Sequence, residues 1–127
     1  MKVLLDTHAL VWWFEAKENL SRKAKETIED SGTVVFVSAA SGWELAIKTQ
    51  IGKFKSAELV RDLEREIEKE GFVELPISLQ HTLLAGSFDS PHKDPFDRLL
   101  IAQAQVEEIP IVSNEKVFDR FAIHRVW

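Results

Sequence analysis

Short apolar runs rich in β-branched residues recur along the chain, and longer segments with helical spacing separate them. The runs are KVLL (2–5), TVVFVS (33–38), FVELPI (72–77), IPIVS (109–113) and IHRVW (123–127). Their length and composition are typical of strands, and the last one alternates like an edge strand. Strands that alternate with helices predict a mostly parallel sheet with helices on its faces. The sequence therefore predicts the α/β fold class.

The intervening segments carry helical spacing and helix end signals. Ser21 is a capping residue for one helix and Gly32 its stop, while Gly71 ends another. The stretch 86–94 is predicted as a loop. The predicted helices cover residues 7–16, 21–32, 41–51, 56–71, 78–86 and 95–107. The resulting order of elements is βααβααβααββ.

The composition excludes several classes of protein. The 127 residues and a hydrophobic fraction of 45% predict one globular domain, residues 1–127. The lack of cysteine excludes a disulfide scaffold and a thiolate site, and it agrees with a reducing compartment, so we expect a cytoplasmic protein. Asp6 and His8 interrupt the apolar N-terminus, which therefore predicts neither a signal peptide nor a membrane span.

The chain is acidic, with 16 basic and 21 acidic residues and a net charge of −5. General electrostatic attraction therefore does not bring nucleic acid to it. A nucleic-acid-binding role requires a local basic patch or bound cations.

Acidic residues stand where predicted strands end or predicted helices begin. They are Asp6, Glu44, Asp94, Asp97 and Glu115. In an open parallel sheet the carboxyl ends of the strands share one edge, and ligands bind in the crevice there. We therefore expect these distant carboxylates to converge in space.

Each of these acids also fits a purely structural role at the end of a helix. Asp6 fits an N-cap, Ser41 and Glu44 have the spacing of a capping box, and Asp94 and Asp97 flank Pro95 as a reciprocal cap. Caps alone do not require crowding, however, and carboxylates about 4 Å apart repel each other by about 1 to 4 kcal/mol per pair. A divalent cation relieves that repulsion, and oxygen ligands favour Mg²⁺ or Mn²⁺.

Four motifs resemble, in their order, those of PIN-domain proteins, and they are closest to the VapC-type toxins of prokaryotic toxin–antitoxin pairs. The motifs are LLDTHALVWW, SAASGWELAIK, HKDPFDRLLIAQA and IVSNEKVF. The resemblance implies a three-layer α/β/α sandwich around a mostly parallel sheet. It also implies a Mg²⁺- or Mn²⁺-dependent endoribonuclease that hydrolyses RNA with a metal-activated water and leaves 5′-phosphate and 3′-hydroxyl ends.

The resemblance also assigns the acidic residues to a catalytic and metal-binding group. Asp6 matches the first acid of the family, Glu44 the second and Asp97 the third, and Asp94 is an additional acid of the DPFDR variant. Glu115 takes the fourth place, where the family usually has Asp. The number of bound cations stays open because Glu115 is one methylene longer than that Asp.

Four further residues are candidate substrate contacts. Ser113 replaces the Thr of the family's Thr-x-Asp pattern, and Thr7 lies beside the first acid, where its hydroxyl is placed to orient a carboxylate. Lys48, with Lys53 and Lys55 nearby, is a candidate phosphate contact, although its spacing also fits a helical ion pair with Glu44. Arg98 is a candidate for a phosphate or an acidic partner.

Two histidines and an aromatic run complete the candidates. His8 and His92 lie near acids and are candidates for proton transfer, with a hydrogen bond to a neighbour as the structural alternative. Trp12, Trp13 and Phe14 point in directions about 100° apart on a helix, so one face cannot bury all three. We expect at least one of them near the surface as a partner contact. Trp127 is expected to pack against the sheet.

The resemblance implies a cognate antitoxin, which pushes a basic side chain into the acidic site, and a homodimer. Three other functions stay open. A PIN scaffold without catalysis would bind RNA or protein. A phosphatase of the haloacid dehalogenase type requires Asp-x-Asp, and His8 takes the place of its second Asp. A metal-free ribonuclease that uses the 2′-hydroxyl would leave cyclic phosphates.

Overall fold

The computed structural model describes residues 1–127 and contains five strands and six α-helices. The strands are β1 (Lys2–Leu5), β2 (Val34–Ser38), β3 (Val73–Leu75), β4 (Ile111–Val112) and β5 (Arg125–Val126). The helices are α1 (Thr7–Glu15), α2 (Arg22–Glu29), α3 (Ala39–Gln50), α4 (Ala57–Glu70), α5 (Leu79–Ser87) and α6 (Pro95–Glu107), with short 3₁₀ helices at Lys17–Asn19 and Lys116–Arg120. This is the predicted order of elements.

The five strands form one sheet in the order β3-β2-β1-β4-β5, and every neighbouring pair is parallel. Leu5 of β1 lies opposite Val37 of β2 on one side and opposite Val112 of β4 on the other. β1 is therefore the central strand. β5 lies at an edge, as the alternation of its sequence predicts.

Side chains of β1 alternate between the two faces of the sheet and enter two separate cores. Val3 and Leu5 belong to a cluster of 16 buried residues that also receives α1, α2 and α4. Leu4 belongs to a cluster of eight, which contains Leu100 and Ile101 of α6. Helices therefore cover both faces, which gives the three-layer α/β/α arrangement that the resemblance implies.

Local signals set most helix ends. The Ser21 hydroxyl accepts a hydrogen bond from the Ala24 N–H (3.0 Å), and the Asp94 carboxylate accepts from the N–H groups of Phe96 and Asp97 (2.9 and 3.0 Å). Gly71 ends α4 in the left-handed region with φ of 73°, where a side chain would be strained. These caps agree with the sequence.

Two predicted end signals are wrong. α3 begins at Ala39 rather than at residue 41, because the Ser38 hydroxyl caps it by accepting from the Ala40 N–H (2.9 Å). The predicted capping box of Ser41 and Glu44 therefore does not form. α2 ends at Glu29, before the predicted stop at Gly32.

No helix combines the length and the apolarity that crossing a membrane requires.

Candidate active site

The candidate site lies at the carboxyl edge of the sheet, where the direction of chain winding reverses. From β1 the chain adds β2 and β3 on one side, and it then crosses to add β4 on the other side of β1. The crevice between β1 and β4 is the place where open parallel sheets bind ligands. Asp6 directly follows β1, and Ser113 directly follows β4.

Asp6 is almost completely buried, with 3% of its surface exposed. Its carboxylate caps α1 by accepting from the Ala9 N–H (2.7 Å), as predicted for a structural role. Burial raises the pKa of Asp6 to about 6, and the charge of Glu115 adds to the rise. Hydrogen bonding by the Ser113 hydroxyl and the Ala9 N–H opposes the rise without cancelling it. A capping role and a ligand role are therefore compatible at this position.

Ligand atoms of Asp6, His8 and Glu115 lie within 4.8 Å of one another. His8 Nδ1 is 3.0 Å from Glu115 Oε1, so the imidazole holds the Glu115 carboxylate in place. Two carboxylates at this separation are a suitable donor set for a hard divalent cation. The longer side chain of Glu115 therefore brings a carboxylate oxygen to within 4.8 Å of a carboxylate oxygen of Asp6.

Glu44 is buried on α3 and faces α1. It accepts a hydrogen bond from the Thr7 hydroxyl (2.7 Å) and another from Lys48 Nζ (2.5 Å). Thr7 shares a further hydrogen bond with the Ser41 hydroxyl (3.0 Å). The hydrogen bond and the charge of Glu44 raise the pKa of Lys48, which keeps its positive charge at neutral pH. The Thr7 hydroxyl thus orients the carboxylate of Glu44.

Asp97 stands in the first turn of α6, and its Oδ2 is 2.8 Å from His92 Nε2. Half of the predicted reciprocal cap therefore forms: the Asp94 carboxylate accepts from the Asp97 N–H (3.0 Å), but the Asp97 side chain contacts His92 rather than the Asp94 N–H. Burial raises the pKa of Asp97 to about 6, the charges of Asp94 and Glu115 add to the rise, and His92 opposes it. The charge of Glu115 thus adds to the rise in pKa of both Asp6 and Asp97, although the three acids belong to different parts of the chain.

The convergence is not complete. Only Asp6 and Glu115, with His8, form a group tight enough to share one ion as the side chains stand. Glu44 and Asp97 lie outside that group and have protein partners of their own.

Two candidate substrate contacts have structural roles instead. The Arg98 guanidinium donates to four backbone carbonyls at 2.9–3.0 Å, those of Ala85, Phe88, Ser90 and His92, so it anchors the loop between α5 and α6. Ser113 is fully buried, and its hydroxyl accepts from the Glu115 N–H (2.9 Å). Both residues therefore help to position the site, and their predicted contact with substrate stays a prediction.

Three participants have weak sequence signals. His8 and His92 are identified by sequence only as residues near acids, and their partners Glu115 and Asp97 follow from the fold. Ser41 is predicted as a cap but instead supports Thr7. The sole sequence clue to His8 is its place two residues after Asp6.

The comparisons with known proteins agree with this architecture. The model of the PIN domain family matches residues 3–124, so the chain belongs to the PIN domain family. Members of this family are typically nucleases.

Several solved structures have the same fold. VapBC2 from Rickettsia felis, bound to a DNA fragment from its promoter, superposes with a TM-score of 0.73 at 17% identity over 100% of both chains. FitAcB from Neisseria gonorrhoeae gives 0.63 at 15% identity over 97% of this chain and 95% of that one. A toxin–antitoxin complex from Klebsiella pneumoniae gives 0.60 at 16% identity, covering 90% of this chain and 87% of that one. No curated protein matches the sequence.

Proposed function

We propose that this protein is a divalent-cation-dependent endoribonuclease and the toxin of a toxin–antitoxin pair in the cytoplasm. The observation that carries the proposal is the position of Asp6 and Glu115. Their carboxylates meet at the switch point of a parallel sheet, and the charge of Glu115 also acts on Asp97. Membership of the PIN family and the likeness to toxin–antitoxin complexes support the same function.

Asp6 and Glu115 would hold the Mg²⁺ or Mn²⁺ ion, with Asp97, Glu44 and Asp94 as the other acids of the crevice. When bound, such an ion supplies an activated water and neutralises charge on the phosphate. Its binding would also relieve the burial and repulsion that raise the pKa values of Asp6 and Asp97.

The surrounding residues position these acids. Thr7 orients Glu44, His8 orients Glu115 and His92 orients Asp97, each through one hydrogen bond. Lys48 lies partly exposed beside Glu44 and is the cation best placed to contact a phosphate at this edge.

Cleavage assays on protein purified free of any antitoxin test the proposal. Structured RNAs incubated with Mg²⁺ or Mn²⁺ are expected to be cut, leaving 5′-phosphate ends, and EDTA is expected to stop the reaction. Asp97→Asn is expected to abolish cleavage, whereas Asp89→Asn, at an exposed acid in the neighbouring loop, is expected to leave it intact. Cyclic phosphate products that persist in EDTA would instead identify a metal-free ribonuclease.

The alternative function is a scaffold without catalysis, and the hydrogen bonds that the acids make within the chain support it. Three of the acids already have partners in the chain, because Glu44 contacts Lys48, Asp97 contacts His92 and Glu115 contacts His8. These contacts satisfy the carboxylates without an ion. RNA binding without cleavage of any RNA, in either metal, would establish this alternative over the enzyme.

A cognate antitoxin is the partner that we propose for an apolar stripe on α3. Trp43 and Ile47 lie four residues apart on α3, and Ile51, the C-cap of α3, follows at the same interval; Trp43 is 55% exposed and precedes Glu44 in the sequence. An antitoxin helix on this stripe would bring a basic side chain to the acids. We expect a small neighbouring gene for a DNA-binding protein with a basic amphipathic tail, and Trp43→Glu is expected to weaken its complex.

A homodimer is the assembly that we propose. Leu79 and Leu83 lie one turn apart on α5 and are 74% and 67% exposed. Light scattering during size-exclusion chromatography is expected to give twice the monomer mass, and Leu83→Glu is expected to reduce it.

A further inference from the structure

Three aromatic rings extend from the candidate active site across its rim. The rings of His8 and Trp12 stack with centroids 5.6 Å apart and planes inclined by 27°. The ring centroid of Trp127 lies 5.9 Å from that of Trp12. The proposed hydrolysis assigns no role to Trp12 or Trp127.

The topology explains why these rings meet. His8 and Trp12 are four residues apart on α1, so they share one face of the helix. Trp127 directly follows β5, which is parallel to the other strands, so it emerges at the same edge as Asp6. The stack therefore forms part of the rim of the crevice.

His8 is ordered without being covered. Its Nδ1 is held by Glu115 at 3.0 Å and one ring face rests on Trp12, yet 57% of its side chain is exposed. An exposed aromatic ring that is fixed in direction loses little conformational freedom when a ligand stacks on it. The open part of the imidazole is thus a preformed platform directly beside the acids.

Three basic residues near the crevice already have partners within the chain. Lys48 pairs with Glu44, Arg98 donates to four carbonyls of its loop, and Arg125 pairs with Asp119 at 2.8 Å. The whole chain carries a net charge of −5. A contact that does not depend on charge would therefore add to the affinity for RNA.

We propose that His8, backed by Trp12, seats one unpaired base of the RNA next to the bond that is cut. Stacking of bases on aromatic side chains holds single strands without the need for positive charge, and histidine is among the side chains that do so. The proposal rests on the proposed function for its RNA substrate. It assigns His8 to substrate positioning as well as to the support of Glu115.

Binding of unstructured RNA tests the base seat. The probe is a labelled RNA of about 12 nucleotides, within the range of single-strand site sizes. Every protein carries Asp97→Asn to prevent cleavage, with Mg²⁺ present. His8→Ala is expected to raise the dissociation constant about 5- to 100-fold, and His8→Phe to keep it within about 2-fold of the parent, since one stacked base contributes on that scale. His124→Ala, an exposed histidine that precedes β5 at the opposite edge, is the matched control.

A second test leaves the protein unchanged and places a single abasic nucleotide at each position of the same RNA in turn, so that each base is removed once. In the protein with His8 intact, affinity is expected to fall when the abasic nucleotide occupies one particular position. In His8→Ala, the abasic nucleotide at that position is expected to cause no further fall in affinity. Two results would overturn the proposal that His8 stacks on a base. One is an affinity that does not depend on the position of the abasic nucleotide, and the other is an equal loss of affinity in His8→Phe and His8→Ala. Cleavage with a flat profile would remove the base seat but not the nuclease. A His8-dependent profile in a protein that cuts no RNA would remove the nuclease but not the base seat.

Discussion

At the scale of single residues, the site is built from acids that are costly to keep charged. Asp6 and Asp97 both have a pKa of about 6, with burial as the main cause. An acid whose pKa is higher in the folded state than in the unfolded state destabilises the fold once it ionises. Removing such a carboxylate is therefore expected to stabilise the protein while it removes function.

Asp6→Asn is expected to raise the free energy of unfolding at pH 7.5 without divalent ions. The rise of the Asp6 pKa from 3.8 to about 6 corresponds to a cost of at most about 3 kcal/mol in the ionised form. Asparagine keeps an oxygen that accepts from the Ala9 N–H, so we expect a gain of about 1 to 3 kcal/mol. Urea denaturation measures the free energy.

The sign of the pH dependence makes this prediction specific. The penalty is complete above pH 6 and disappears as pH falls toward 3.8, because the folded protein then binds the proton more tightly than the unfolded chain. The advantage of Asp6→Asn is therefore expected to shrink between pH 7.5 and pH 4. An advantage that is constant over this range would contradict burial of the charge as its cause. Asp89→Asn, at an exposed acid, is expected to show no such trend.

At the scale of elements, the loop between α5 and α6 is held by one side chain. Arg98 reaches back from α6 to the carbonyls of Ala85, Phe88, Ser90 and His92. Since His92 contacts Asp97, the same side chain also fixes an acid of the site. The loop runs from Phe88 to Asp94, and the hydrogen bonds of Arg98 thus order it more than burial does.

Arg98→Lys is expected to loosen this loop although it keeps the charge. Lysine lacks the planar array of donors that reaches four carbonyls, and the loss is expected to lower the free energy of unfolding by roughly 1 to 3 kcal/mol. Hydrogen exchange is expected to accelerate in residues 88–94. Arg65→Lys, at an exposed site on α4, serves as the control. Unchanged exchange in the loop would show that packing alone orders it.

The helices and strands also show which parts of the fold can be predicted from the sequence. β-branched runs and the spacing of apolar residues predict all five strands and the order of the helices, because burial of one face is a local pattern. The start of α3 is missed because Ser38 and Ser41 are equally good caps by residue type. Only the end of β2 at Ser38 decides between them, and strand pairing sets that end.

At the scale of the whole molecule, the sequence predicts where the acids converge but not which of them meet. Parallel strands bring Asp6 and Glu115 to one edge, as expected. The partners of Glu44, Asp97 and Arg98 depend on side-chain directions across helices that are distant in sequence. Such contacts have no local pattern, so charge and spacing along the sequence do not reveal them.

A melting experiment tests the crevice as one unit. The buried acids repel one another without an ion, so Mg²⁺ or Mn²⁺ is expected to raise the melting temperature of the wild type by about 5 to 12 °C at 100 times the dissociation constant. Asp97→Asn is expected to melt higher than the wild type without metal, because it removes a buried charge, and to show a smaller shift with metal.

The control for that experiment is Glu64→Gln, which removes an exposed acid on α4 and is expected to leave the metal shift unchanged. Equal shifts in Glu64→Gln and Asp97→Asn would place the bound ion elsewhere on this acidic chain. If neither the ion nor the Asp97 substitution changes the melting temperature, the contacts with Lys48, His92 and His8 already satisfy the carboxylates of the crevice. The charges of the crevice would then be balanced by side chains of the protein. In that case, the convergence of the acids at the switch point of the sheet would not indicate a metal site.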